Sequence, residues 1–281
     1  TTPWPPDRVT PARPSSLHTS LHTFLSSHAH QACNALNKLT SRIDGAALTA
    51  ALARVSTRAG EEAVGSVLAW MRAHGDEGGV QEEACRALAT ICHGADAAAL
   101  GRKERAAVDG ALSAILAWMR EHTGKGGVQA CGCHALSSIC SGADEAALAR
   151  RDSAAGDGAL GAIVAAMEAH GDEGGVQEEA CRALATICHG ADVAARARKA
   201  WAAGEGAVSA IVASMHRFNH QYDPWAGPPK HVDSQDWYTC VYSRGVQEQG
   251  GLALKSICDD QARKDEAVRA GARNGWLGWY V

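Results

Sequence analysis

The chain is predicted to be an all-α solenoid, and three observations carry that prediction. Residues 73–96, AHGDEGGVQEEACRALATICHGAD, recur without one change at 169–192. The two copies lie 96 residues apart, two steps of 48, and GGVQACGCHALSSIC at 126–140 supplies the step between them. Val80, Val128 and Val176 keep one register. Within each step the apolar residues recur at helical spacing, as Val80, Ala84, Leu88 and Ile91 do. A fixed period of this length marks a stack of units, each burying its apolar face against its neighbours.

Each unit is read as three helices. The last is VQEEACRALATIC, with Cys85 and Cys92 widening its stripe. The one before it is GALSAILAWMREH, with Leu112, Ile115, Leu116 and Met119 on one side. Gly110, Gly158 and Gly206 open this helix at intervals of 48, where glycine lets the chain turn sharply between packed helices. The first is a shorter, Ala-rich, basic helix such as EAALARRDSAAG at 145–156. Gly-Gly at 78–79, 126–127 and 174–175 is read as a clean helix break. Weaker copies flank the good ones, HQACNALNKLT at 30–40 and GVQEQGGLALKSIC at 245–258. The step from Val176 to Val246 is 70, so some 22 residues are inserted there.

One short helix and two longer ones in a unit somewhat above 40 residues resemble the armadillo repeat, and GALxAIxxxM…VQEEACxALxxI is similar to its second and third helices. The resemblance covers roughly residues 17–281 and extends to Ala-rich armadillo arrays of unicellular algae. It implies a right-handed α-solenoid of about four three-helix repeats with partial ends. It also admits an organelle complex, such as a photosynthetic supercomplex, as the setting. The neighbouring HEAT repeat has two helices per unit, and the recurrent third helix argues against it. In armadillo proteins the third helices line a concave groove that binds extended peptides. Importin-type carriers place a Trp and an Asn there, four residues apart. Here those positions hold Arg86 and Thr90, His134 and Ser138, Arg182 and Thr186, and Leu252 and Ser256. The pair is absent, so the resemblance implies a groove but not a nuclear-import carrier. Arg86 and Arg182 either hold an acidic or carbonyl partner or pair with Glu82 and Glu178 one turn away.

Bulk numbers exclude several classes. A net charge of −4 gives no global field for nucleic acid. No apolar run reaches membrane-spanning length. Most of the ten cysteines sit on the third-helix stripe. Cys85 and Cys92 are two turns apart on one helix, roughly 10 Å, too far for a disulfide. They read as reduced core residues in an intracellular reducing compartment, the cytoplasm or an organelle such as a plastid. The first residue is Thr rather than Met, so a processed or trimmed chain is expected, with a transit peptide removed in the plastid case.

Three further features bear on partners. Arg102 and Lys103, Arg150 and Arg151, and Arg198 and Lys199 recur at 48, with Arg269 continuing the row. Stacked helices lie roughly 10 Å apart, so a basic edge is expected, suited to an anionic surface or merely solubilising. Trp70 and Trp118 occupy equivalent positions and are expected half-exposed. Segment 218–242 is read as an aromatic-rich loop insertion carrying Phe218, Tyr222, Trp225, Trp237, Tyr238 and Tyr242, six of the chain's fourteen aromatics. Trp and Tyr on loops suit interfaces because they offer large contact area with few rotamers to lose. A Pro-rich arm, residues 1–16, carries Trp4, and the C-terminal end carries Trp276 and Trp279.

No catalytic chemistry is read from the chain. HTGKGG at 122–127 is not a phosphate-binding loop. Cys131, Cys133 and His134 do not share a helix face, and His18 and His22 share one without a Cys or carboxylate partner, so no metal and no cofactor are assigned. The expectation is a non-enzymatic protein–protein interaction scaffold or accessory subunit of a large complex. Its principal contacts would be the 218–242 segment, the arm, the C-terminal aromatics and the groove. The alternatives are a peptide-binding adaptor or transport carrier using the groove and an anionic-surface binder using the basic edge. Specific nucleic acid is not expected. The absence of a spanning segment leaves peripheral association with a membrane complex open.

Overall fold

The structure is a computed structural model, and it describes residues 57–219, 234–273 and 276, with no side-chain description at 57–60 and 234–241. Among the described residues there are twelve helices and no strand. They are α1 (Thr57–Ala73), α2 (Gly78–Ile91), α3 (Ala97–Val108), α4 (Ala111–Glu121), α5 (Gly126–Cys140), α6 (Glu145–Gly156), α7 (Ala159–Ala169), α8 (Gly174–Ile187), α9 (Val193–Gly204), α10 (Ala207–Arg217), α11 (Ser234–Ile257) and α12 (Gln261–Arg269). Three successive units follow from this order: α3–α4–α5, α6–α7–α8 and α9–α10–α11.

The helices pack as a solenoid. Along the stack the most extensive packing is third helix on third helix, α2 on α5, α5 on α8 and α8 on α11. The second helices α4, α7 and α10 touch one another less, as do the first helices. The face carried by the third helices, the most extensively packed side of the stack, is termed the inner face.

Local chemistry places each corner. Gly110, Gly158 and Gly206 adopt φ of +81°, +87° and +87° at the N-terminal ends of α4, α7 and α10. Only glycine takes that conformation without a Cβ clash, so one residue turns the chain between first and second helices. Asp96, Asp192 and Asp260 cap α3, α9 and α12 by accepting from the backbone N–H groups of Ala99, Ala195 and Arg263. The paired glycines do not end helices as expected; they are the first residues of α2, α5 and α8. Their smallness admits the next unit. A Cβ on Gly126 would lie 1.8 Å from Glu173 Oε2, and one on Gly174 would lie 2.6 Å from Tyr242 Cβ.

The core runs continuously through the stack. Leu88, Leu136, Leu184 and Leu254 sit at one register position, fully buried. Cys85, Cys92, Cys133, Cys140, Cys181, Cys188 and Cys258 are buried free thiols beside them. Burial pushes the Cys92, Cys140, Cys181 and Cys188 thiols up to about 12. Trp70 and Trp118 are not half-exposed. They are 5% and 7% exposed, and the Trp118 indole packs beside Gly75 of the preceding unit. Ala166 and Ser214 take the same buried place in later units, so the site accepts either a large or a small side chain.

Candidate protein-interaction face

The inner face is built from equivalent positions on α2, α5, α8 and α11. Its central row is Arg86, His134, Arg182 and Leu252. The row is held by ion pairs and hydrogen bonds. Arg86 meets Glu82 at 2.7 Å and Glu83 at 3.2 Å on its own helix, and its Nη2 lies 3.7 Å from Cys131 Sγ on the next. His134 Nδ1 lies 3.0 Å from Glu179 Oε2 of the following unit. Arg182 meets Glu178 at 2.5 Å and Glu179 at 3.4 Å. Both arginines therefore pair locally, as one of the two sequence readings held.

Several of these groups also seal the seams between units. The Glu82 carboxylate occupies the space where a Gly127 Cβ would stand, and Glu178 does the same at Gly245. Glu82 thereby places negative charge beside the first turn of α5, where the helix dipole favours it, whereas Gly245 lies in the middle of α11. Burial holds the Glu178 carboxyl above the usual range, against the pull of Arg182. The outer row of the face is less uniform than expected. Ser138 and Thr186 are half-buried, and Thr186 Oγ1 donates to the Arg182 carbonyl at 2.9 Å. Thr90 is buried and does not line an open surface.

Leu252 stands out on this face. It is 51% exposed at the position that the preceding units fill with Arg, His and Arg. Exposed Tyr242 lies nearly three turns earlier on the same helix, its ring beside Gly175 at the start of α8. The polar row thus ends in an exposed leucine on α11.

The basic pairs are not an exposed edge, which overturns that reading. Arg102, Lys103, Arg150, Arg151, Arg198 and Lys199 are 1–5% exposed. The Nε groups of Arg102, Arg150 and Arg198 donate to the carbonyls of Ile91, Ile139 and Ile187 at 2.5, 2.8 and 2.8 Å. Their Nη2 groups reach the carbonyls of His93, Ser141 and His189. Lys103 and Lys199 bond the carbonyls of Gly94 and Gly190, and Arg151 bonds that of Cys140. The last carbonyls of a helix lack internal partners, and a cation there also complements the dipole. Each pair therefore caps the third helix that precedes it. In the last unit Arg263, not Arg269, has this role, with Nε 2.7 Å from the Ile257 carbonyl.

The aromatic segment also differs from its reading. Helix α11 begins at Ser234, so Trp237, Tyr238 and Tyr242 belong to the helix rather than to a loop. Phe218, 8% exposed, closes the end of α10. Trp276 is half-buried against its own chain, its ring edge-on to His216 at 4.9 Å with the Arg273 guanidinium 5.5 Å from its centre. That is a self-cap, not a projecting anchor. Tyr222, Trp225, Trp4 and Trp279 lie outside the described residues, as do His18, His22 and the arm.

Sequence reasoning missed a ladder of glutamines. Gln81, Gln129 and Gln177 are buried, and each Nε2 donates to the two carbonyls that close the preceding helix. These are Met71 and His74, Met119 and His122, and Met167 and His170. Gln247 reaches the Met215 carbonyl at 2.6 Å. The signal was present as the Val-Gln pair in all four units. Among the described residues no group of three or more His, Cys, Asp or Glu is placed to hold a metal ion, and no helix is long and apolar enough to cross a membrane. No protein-family model, no curated protein and no solved structure matches this chain.

Proposed function

We propose that the chain is an armadillo-type right-handed solenoid that works as a protein–protein interaction scaffold or accessory subunit of a larger assembly, through its inner face. The carrying observation is Leu252, a half-exposed leucine where the other units place charge. Core packing does not require it, since Arg86, His134 and Arg182 serve the same position. An exposed apolar side chain beside a polar row suits an interface, whose centre is apolar and whose rim is polar. The groove-binding adaptor remains the nearest variant of this reading, because it uses the same face. The anionic-surface reading has lost its support, because its cations are buried on carbonyls.

A photo-crosslinking residue at position 252 or 182 of the full chain tests the proposal, with position 200 on the exposed side of α9 as the control. Crosslinks to one defined partner from 252 and 182, and none from 200, are expected. Leu252→Asp should remove the crosslink from 182 and leave the melting temperature unchanged. Equal capture from all three positions would dismiss the inner face as the interface.

A further inference from the structure

We propose that the seam between the α3–α4–α5 and α6–α7–α8 units is a protonation-sensitive joint, with His170 as its sensor. His170 follows α7 and is 8% exposed. Its Nδ1 lies 2.8 Å from Glu173 Oε1, and its Nε2 lies 2.7 Å from the Thr123 carbonyl of the preceding unit. Both partners are acceptors. A neutral imidazole has one N–H and one bare lone pair, so it satisfies only one of them and turns its lone pair on the other. Imidazolium satisfies both at once. The joint is therefore closed by a proton.

The equivalent positions show that this is not a general feature of the repeat. His122 reaches the Gly75 carbonyl with Nε2 at 3.1 Å, but Lys125 stands where Glu173 stands. One donated hydrogen bond suffices there. His74 faces Glu77 at 3.2 Å, and its Nε2 is buried with no partner. Among the described residues only His170 has an acceptor at each nitrogen in two different units.

The charged surroundings of His170 are few. Glu173, ahead of α8, faces it directly. From the α4–α5 connection, the Lys125 side chain lies against Gly78 and the His122 ring points to Gly75, both toward the unit before. From α10, Arg217 lies beside Gly171 but is paired with Asp172. Burial opposes protonation of His170, yet the Thr123 carbonyl and the Glu173 carboxylate outweigh it and raise the imidazole above the ordinary histidine value. The sign follows by linkage. The stabilisation is fully present below the ordinary histidine pKa of about 6.5 and is lost as pH rises through the raised value. The inference does not depend on what the inner face binds.

Ring-nitrogen NMR of the full chain, labelled at histidine and assigned with His170→Gln, tests it. Both nitrogens of His170 should carry protons at about pH 6.5, with a titration midpoint above the same residue's value in urea. Glu173→Lys rebuilds the arrangement that Lys125 already shows to be compatible with the fold, and it should bring the midpoint down to the urea value or below. The stability lost by Glu173→Lys, read as the urea midpoint, should be larger at about pH 6 than at about pH 8.5. A single-proton tautomer at about pH 6.5, or a midpoint that Glu173→Lys does not move, would overturn the proposal.

Discussion

Arg198 on α9 donates from Nε to the carbonyl of Ile187 at 2.8 Å, so the first helix of one unit closes the last helix of the unit before it. The same guanidinium bonds the His189 carbonyl and reaches Asp152 on α6. One side chain thus ties three segments of the stack. Arg198→Met keeps much of the stem's volume but leaves those carbonyls unmet. A buried polar group left without a partner costs about 1–3 kcal/mol, so a loss of about 2–4 kcal/mol is expected by urea unfolding. Arg198→Lys should fall between, since it keeps the charge but not the forked geometry. A neutral outcome for Arg198→Met would refute the capping role.

Gln177 should tolerate change no better. It is 1% exposed and donates to two carbonyls through one amide. Gln177→Leu is expected to cost about 1–3 kcal/mol, since the Met167 carbonyl loses its side-chain donor while the His170 carbonyl keeps the Glu173 N–H. Gln177→Glu should be worse at neutral pH, because a carboxylate cannot donate and is itself buried. Thermal melting at two pH values checks this, as the glutamate variant should recover part of its loss in acid.

The paired glycines separate into tight and open positions. A Cβ on Gly174 meets Tyr242 Cβ at 2.6 Å and the Phe218 ring at 3.2 Å. Neither neighbour is the loose end of a flexible chain. Gly174→Ala is therefore expected to cost about 1–3 kcal/mol, the usual range for overpacking. A Cβ on Gly79 meets nothing within 4 Å. Gly79→Ala should be neutral or stabilise by up to about 1 kcal/mol through helix propensity. Urea midpoints of the two variants, measured side by side, should move in opposite directions or leave Gly79→Ala at the parental value.

Asp259 should contribute acid sensitivity. Burial pushes its carboxyl up, but hydrogen bonds from Lys199 and Arg263 outweigh this and hold it below the usual aspartate value. A depressed carboxyl contributes stability above its unfolded pKa of about 3.9 and loses it as pH falls through the folded value. Asp259→Asn should be less stable than the parent at about pH 7, and the gap should close in strong acid. A gap independent of pH would show that the pair is not titrating.

The thiols should sort by access. Cys131 is half-buried beside Arg86 on the inner face, whereas Cys85, Cys92, Cys133, Cys140, Cys181, Cys188 and Cys258 are buried. Alkylation of the native chain, followed by mass mapping, should label Cys131 at least about 100-fold faster than these seven, since reaction needs an accessible thiolate. Equal rates would mean that the stack opens as a whole on the labelling timescale.

The sequence by itself determined the repeat, its helices and its corners. Period, register and apolar stripe are local properties, and an exact 24-residue recurrence leaves little freedom in how Leu88 and Leu184 are used, both fully buried. Gly110, Gly158 and Gly206 are legible for the same reason, since the need for positive φ lies in the residue's own backbone. What only the tertiary structure decided is where polar groups point when a neighbouring unit supplies the partner. Arg150 and Arg151 look like solvated charge on a short helix, because the carbonyls of Ile139 and Cys140 become their acceptors only once α6 packs across the end of α5. His170 looks like His122 until Glu173 and Thr123 are brought to its two nitrogens. Trp118 looks half-exposed until it packs beside Gly75 of the unit before it. In a stack, burial of a side chain is settled across the seam, and the seam is written in no single window of sequence.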